Sequence, residues 1–164
     1  MGSIADITEV LAADLRAAIS EHRIDFVEKI IPENPASEYL AVNNLLYGTA
    51  LLCHDNGKIH DDRKKRLVFC NFEAAEIFGL TIEEMLGMLS EELAPDVGSI
   101  RIDRDLYLEQ SLQEPVKLHN LIRWQWQPDK SKREILIDAV VFPYSHDGDV
   151  SNAASISLKG YSQP

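Results

Sequence analysis

The sequence is poor in cysteine and has no long apolar run. Its two cysteines, Cys53 and Cys70, do not have the CxxC spacing of a metal motif, so a structural zinc site has little support. Two such thiols are typical of free buried cysteines in a reducing compartment. The longest apolar candidate, Leu45–Cys53, is far shorter than the roughly 20 residues that a membrane helix needs. We therefore expect no membrane partner.

A signal peptide and an excess of positive charge are also missing. Asp6 and Glu9 stand where a basic segment followed by an apolar one would begin, which predicts a cytoplasmic location. With 16 basic against 27 acidic residues the net charge is −11, and such a surface repels nucleic-acid phosphates and anionic lipid. The one basic cluster, Arg63–Arg66, is interpreted as a solvated loop. The chain is therefore not expected to bind nucleic acid.

What is present is the composition of a folded domain, with 45% hydrophobic and 26% charged residues. The chain opens on an apolar stripe of helical period, and Pro32-Glu33-Asn34-Pro35 then breaks regular structure. We therefore divide the chain into an N-terminal helical extension over 1–35, a domain over 36–160 and a tail over 161–164. The stripe consists of Ile4, Ile7, Leu11 and Leu15.

Two strands, several helices and three further strands are predicted after the break. Asn71 and Thr81 are predicted to cap two of the helices, and Thr81 begins a capping box with Glu84. This order indicates one antiparallel sheet with helices on one face. The predicted helices cover 38–46, 72–78, 81–87 and 103–113, and the predicted strands cover 49–54, 66–70, 116–127, 133–144 and 150–159.

Residues 68–87 resemble the signature of the PAS superfamily. In that signature a strand ends at an asparagine, here Asn71, a short helix ends in Phe78-Gly79, and a capped second helix ends in Leu86-Gly87. The chain also resembles, more narrowly, the MEKHLA branch of the superfamily. That resemblance rests on Cys53-His54-Asp55, on residues 89–95, on Phe142–Gly148 and on Asn152-Ala153-Ala154.

The resemblance implies an α+β fold with a PAS-like five-stranded antiparallel sheet in the order 2-1-5-4-3. Helices would cover one face, and the N-terminal helical extension would be added to this core. It also implies a small cavity between sheet and helices, which holds a ligand in many members and none in many others. No cofactor is predicted, and an unknown small ligand is left open. The cavity candidates are Cys70, Phe78, Trp124 and Asp138.

The positions of cysteine and histidine disfavour flavin-thiol and haem chemistry. The resemblance implies that a flavin-reactive cysteine would follow the Leu-Gly turn, and residues 88–95 contain none. A haem-binding histidine would lie on the helix over 103–113, which has none. His54 and His60 are weak metal candidates without a third fixed ligand, so no metal is predicted. Cys53 and His54 are strand neighbours that point to opposite faces, which argues against a nucleophile–base pair.

Trp124 and Trp126 are predicted to share one strand face with Leu118, Asn120 and Ile122. This face would line the cavity if it points inward and would bind a partner if it points outward. We favour the outward orientation, with the N-terminal stripe covering the sheet of this chain or of a second copy. Asp138 is expected to pair with Arg123 on the neighbouring strand. The predicted homodimer interface is Ile4, Ile7, Leu11, Leu15, Trp124 and Trp126.

The hypothesis from sequence is a small PAS-like sensory or protein-interaction domain and not an enzyme. It would act through dimerisation or through a protein partner that supplies the output. The alternative is a small cone-shaped α+β enzyme or a carrier of a hydrophobic ligand. In that alternative, Asp138 and His119 are the candidate groups in the pocket.

Overall fold

The computed structural model describes residues 4–30 and 44–161, and of residues 4–6 it describes the backbone alone. One long helix precedes two short strands, a set of short helices and three long strands. No described helix has the combination of length and hydropathy that a membrane crossing requires. The elements are α1 Ile4–His22, β1 Ala50–His54, β2 Leu67–Cys70, α2 Phe72–Phe78, α3 Ile82–Met85, a 3₁₀ turn Ser90–Leu93, α4 Gly98–Gln110, β3 Val116–Trp126, β4 Lys132–His146 and β5 Asp149–Tyr161.

The strands form one antiparallel sheet in the order β2-β1-β5-β4-β3, which confirms the predicted fold class. The long β4–β5 hairpin forms the middle of the sheet, and its turn consists of Asp147 (φ 50°) and Gly148 (φ 83°). Two consecutive residues with positive φ suit a two-residue hairpin turn, because that turn matches the twist of the strands.

The two faces of the sheet carry separate apolar clusters, since successive strand residues point to opposite sides. We call the face under α2, α3 and α4 the inner face; its cluster includes Leu52, Phe78 and Ile137. The opposite face, which α1 covers in part, is called the outer face; its cluster includes Cys53 and Phe142. The domain therefore has helices on both faces, with the N-terminal helix on the outer one.

Helix α1 packs on the sheet of its own chain. Leu11 and Leu15 are buried there, at 4% and 0% exposure, in one cluster with Phe142. Burying each leucine contributes roughly 2 kcal/mol. His146 Nδ1 lies 2.7 Å from Asp14 Oδ2 and adds a polar contact between helix and sheet.

The caps of α2 and α3 follow their local sequence. Asn71 caps α2 by accepting a hydrogen bond from Ala74 N–H, and Thr81 and Glu84 form the predicted capping box of α3. Gly79 ends α2 with φ 73°, and a Cβ at this position would lie 2.1 Å from the carbonyl oxygen of Trp126. Glycine is therefore required both by the backbone conformation and by the close approach of β3.

Two sequence predictions need correction. The long helix α4 begins at Gly98 and not at Asp103, and no side chain caps its start, so the sequence offers no cap signal there. In β3 the register shifts between Leu118 and Leu121. Leu118 therefore packs against the inner cluster and does not share a face with Trp124, while Trp126, the last residue of the strand, also packs against that cluster. Most of the helix predicted over 38–46, and the boundary at 35/36, lie outside the described residues.

Candidate functional site

A small cavity lies between the inner face of the sheet and α4. It encloses about 50 Å³, and a water-sized group needs about 10–15 Å³ on the same measure. The space is therefore suited to a ligand of about three to five non-hydrogen atoms. Most of the wall is apolar and is formed by Leu52, Phe78, Leu93, Leu108, Leu121, Ile137, Ala139 and Ile156.

Three polar side chains of this wall each contain a buried atom that has no hydrogen-bond partner among the described residues. These atoms are His54 Nε2, Arg104 Nε and Asn152 Oδ1. A buried polar group without a partner costs about 1–3 kcal/mol, and most such groups in native proteins are satisfied. Three of them around one small cavity indicate a place where a polar ligand would complete the hydrogen bonding.

Arg123 reaches the same cavity from β3. Its side chain is buried, with 9% of the residue exposed, and its guanidinium donates hydrogen bonds to the Tyr107 hydroxyl and to the Ile122 carbonyl oxygen. Tyr107 belongs to α4, so this hydrogen bond links the helix to the sheet across the cavity.

The charges at the cavity are positive. Burial, together with the nearby cations Lys65, Arg123 and Arg104, lowers the pKa of His54 to about 3, while Asp55 opposes this effect only in part. His54 is therefore neutral at pH 7 and contributes a hydrogen-bonding ring without charge. The two arginines keep their charge at any ordinary pH.

Solved structures share this architecture. A LOV protein from Rhodobacter sphaeroides superposes with a TM-score of 0.52 at 16% identity, over 77% of this chain and 68% of that one. The LOV domain of a blue-light activated histidine kinase from Erythrobacter litoralis gives 0.50 at 12% identity, over 68% of this chain and 96% of that domain. The chain has the PAS fold. No family model matches this PAS-fold sequence, and no curated protein does.

The cavity of this PAS fold is small for a flavin. Pockets for ligands of cofactor size span about 300–1,000 Å³, against the 50 Å³ enclosed here. Neither cysteine is among the cavity-lining residues, and burial raises the pKa of both thiols, that of Cys70 to about 12. The residues that line the cavity therefore provide no thiolate that could attack a flavin ring.

Of the four predicted cavity residues, Phe78 alone lines the cavity of this PAS fold. Cys70 is buried in the inner cluster but outside the cavity wall. The prediction of Trp124 as a cavity residue is wrong. Arg123 and Gln125 are the buried residues of this stretch of β3, and alternation therefore places Trp124 on the outer face.

The prediction of Asp138 as a cavity residue that pairs with Arg123 is also wrong. Asp138 lies on the outer face, where its Oδ1 accepts a hydrogen bond from Asn120 N–H at 3.0 Å, and its other neighbours are His119 Nδ1 at 3.4 Å and Lys159 Nζ at 3.8 Å. The backbone hydrogen bond from Asn120 is the main cause that lowers the pKa of Asp138. Its partner is therefore not Arg123, and neither Asp138 nor His119 belongs to the cavity.

The weak metal candidates lie apart. His54 lines the cavity, whereas His60 contacts Asp55 Oδ2 in the β1–β2 loop. Asp55 also accepts hydrogen bonds from the backbone N–H groups of Gly57 and Arg66, so it organises the loop. Within residues 4–30 and 44–161, three or more metal-binding side chains do not come together anywhere. Cys53 and His54 lie on opposite faces, as the strand alternation predicts.

The predicted interface residues differ in how deeply they are buried. Leu11 and Leu15 of α1 are buried against the sheet of the same chain, while Ile7 is 52% exposed. The side chain of Ile4 is outside the described part of the chain. Trp124 and Trp126 flank Lys132, whose Nζ lies 5.2 Å and 5.8 Å from the two ring centres, so these rings form a cation–π cluster on the strand.

Sequence reasoning missed the cavity residues Arg104 and Asn152 and assigned Arg123 to the wrong partner. The sequence contained one signal for Arg123, because an arginine between Ile122 and Trp124 in a strand is unusual unless it has a polar partner. For Asn152 the resemblance offered a hint, since two of its stretches contain cavity residues, namely His54 and Asn152.

Proposed function

We propose that this protein is a PAS-type sensory and protein-interaction domain that responds to a small polar ligand in the cavity between sheet and α4. The proposal describes a non-enzymatic, cytoplasmic module whose output comes from a second copy or from a protein partner. The MEKHLA-like assignment is part of the proposal and rests on the sequence stretches given above.

The observation that carries the proposal is the set of three unpartnered buried atoms, one each on His54, Arg104 and Asn152, around one cavity. Leaving these three atoms without hydrogen-bond partners costs free energy, and a ligand that bonds to them would offset that cost. A purely structural core of this size would be expected to satisfy or omit such groups.

A route from the cavity to the surface supports the sensory part. Arg123 contacts the cavity and is bonded to Tyr107 of α4, and its neighbour Trp124 lies on the opposite face of the same strand. A ligand that changes the Arg123–Tyr107 contact would therefore act on the strand that carries the tryptophans. The outer face beside α1 is the proposed output surface, and it includes Trp124 and Lys132. Trp126, which also contacts Lys132, packs in addition against the inner cluster.

The test is a thermal-unfolding screen against metabolites of up to about five non-hydrogen atoms, on the unmodified chain and on Ala139→Val. Ala139 is 5% exposed on the cavity wall, and the larger side chain occupies part of the enclosed space. Val140→Ile is the matched control, because Val140 follows on the outer face of the same strand. We expect a compound that raises Tm in the unmodified chain and in Val140→Ile but not in Ala139→Val.

The same compound should change amide hydrogen exchange in β3, where Trp124 and Trp126 lie, if occupancy reaches the output surface. A screen without any stabilising compound would contradict the proposal. So would a compound that stabilises Ala139→Val as strongly as the unmodified chain, because it would then bind elsewhere.

A further inference from the structure

The cavity contains more positive charge than the described residues neutralise. Arg104 and Arg123 both line it, and burying a cation without an anion is costly. Arg123 forms no ion pair with any described carboxylate; its hydrogen bonds go to a tyrosine hydroxyl and a backbone carbonyl. Among the described residues, the hydrogen-bond acceptors of the Arg123 guanidinium are therefore all neutral.

Arg104 is little better compensated. It contacts the carboxylate of the adjacent Asp105 at 3.5 Å, and that side chain is 74% exposed, whereas the Arg104 side chain is 11% exposed. An ion pair with so exposed a carboxylate contributes little. The pKa of Glu91 is lowered mainly by the hydrogen bond from Lys64, at 2.8 Å, and less by Arg104, so that carboxylate is chiefly paired with Lys64. Asp55, the acid that acts on His54, is already held by His60 and by the backbone of the β1–β2 loop.

The hydrogen-bonding capacities at the cavity wall are partly fixed. Arg104 Nε can only donate. Asn152 Nδ2 donates to Leu108 O and Ser111 Oγ, so Asn152 Oδ1 is left as an acceptor. The unpartnered Nε2 of the neutral His54 can donate or accept, depending on the tautomer. A single ligand that satisfies this set needs acceptor oxygens and one donor.

We propose that the cavity binds a small oxyanion that carries one hydroxyl group, of the size of bicarbonate or glycolate. The anionic oxygens accept hydrogen bonds from Arg104 and Arg123, and the hydroxyl group donates a hydrogen bond to Asn152 Oδ1. The enclosed 50 Å³ limits the ligand to about three to five water-sized groups. This inference rests on the proposed function, to which it adds the ligand class.

The experiment compares the melting temperature of the full chain in 100 mM glycolate, acetate, glycolamide and chloride at one ionic strength and pH 7.5. Glycolamide removes the charge and acetate removes the hydroxyl. With a Kd of about 1 mM, glycolate raises Tm by about 5–10 °C over chloride. We expect a smaller rise in acetate and less than about 1 °C in glycolamide, and bicarbonate, as a second probe, should behave like glycolate.

Arg104→Gln tests the site, and Arg101→Gln is its matched control. Arg101 lies on the same helix, has 55% side-chain exposure and pairs with Asp96 at 3.3 Å, outside the cavity. The glycolate effect should be lost in Arg104→Gln and kept in Arg101→Gln, with far-UV circular dichroism showing that both variants fold. The comparison of glycolate with glycolamide needs no variant and stands by itself.

The outcomes separate this inference from the proposed function. Equal shifts in glycolamide and glycolate, or a full glycolate shift in Arg104→Gln, would overturn the oxyanion inference. A neutral metabolite whose effect is lost in Ala139→Val would also overturn it, while leaving a ligand-binding sensory domain in place. A glycolate shift that survives Ala139→Val would overturn it too, because the anion would then bind outside the cavity.

Discussion

Asn71 and Leu51 are joined by two hydrogen bonds, which tie the first helix of the inner face to the sheet. Leu51 N–H donates to Asn71 Oδ1 at 3.0 Å, and Asn71 N–H donates to the Leu51 carbonyl oxygen, also at 3.0 Å. The same Oδ1 caps α2, and Nδ2 donates to the carbonyl oxygens of Leu46 and Thr49. One fully buried side chain therefore connects β1, the turn before it and α2.

Replacing Asn71 by alanine should lower the free energy of unfolding by about 2–4 kcal/mol, because a cap is lost and buried backbone groups lose their partners. Urea unfolding measures the change. Thr81→Ala is the control, since its capping box is exposed and its loss should cost about 1 kcal/mol. Equal effects of the two substitutions would contradict the connecting role of Asn71.

Gly79 and Gly87 form a natural pair of test positions. Both have positive φ, 73° and 91°, but an added Cβ would meet the Trp126 carbonyl at Gly79 and nothing within 4 Å at Gly87. Gly87→Ala should therefore cost only the conformational term of about 1–2 kcal/mol. Gly79→Ala should cost clearly more in the same urea experiment, and a Gly79→Ala variant as stable as Gly87→Ala would disprove the close approach of β3.

Leu15→Ala tests whether α1 belongs to the core of its own chain. Leu15 is fully buried against the sheet, so its truncation should lower the free energy of unfolding by about 2–5 kcal/mol. Ile7→Ala, at a half-exposed position of the same helix, should stay within about 0.5 kcal/mol. A loss in Leu15→Ala that grows on dilution would instead indicate that α1 covers the sheet of another copy.

The buried His54 should make the protein sensitive to mild acid. Its pKa is about 3 in the folded protein, against 6.5 for a histidine free of these influences, so below pH 6.5 the unfolded chain takes up a proton that the folded chain refuses. The free energy of unfolding therefore falls as the pH drops from 6.5 towards 3, by up to about 1.4 kcal/mol per pH unit. Above pH 6.5 this contribution does not change.

Urea unfolding of His54→Gln between pH 7 and pH 5 measures this effect. The variant should lose less stability across that interval than the unmodified protein, by about 2 kcal/mol. His119→Gln, at a residue whose side chain is 71% exposed, should follow the unmodified protein. Identical pH slopes for His54→Gln and the unmodified chain would show that His54 is not held neutral.

Trp124→Glu tests the proposed dimer surface. We expect the unmodified protein to sediment as a dimer and this variant as a monomer, because a carboxylate on the outer face of β3 would have to be desolvated in the interface. Leu106→Glu, which adds the same charge at an exposed position of α4, should leave the dimer intact. A monomeric unmodified protein at high concentration would remove the dimer proposal.

The helix caps and the order of the elements could be predicted because they depend on local sequence. As helix caps, Asn71, Gly79 and Thr81 each act within a few residues of their own position, and the alternation of strand residues is equally local. The bonds of Asn71 to β1 and the approach of Gly79 to Trp126 are long-range and were not predicted. The start of α4 was missed for the same reason, since no capping side chain stands before Gly98.

The sequence by itself determined the PAS-type order of strands and helices, the caps and the apolar stripe of α1. Only the tertiary structure decided that Leu11 and Leu15 of this stripe pack on the sheet of their own chain, that Trp124 and Asp138 lie on the outer face, and that His54, Arg104 and Asn152 meet at one cavity. The register shift in β3 is the physical reason why Leu118 and Trp124 lie on different faces, because one additional residue moves the following side chains to the other side of the sheet. The meeting of distant residues depends on strand pairing and helix packing, which no local pattern specifies.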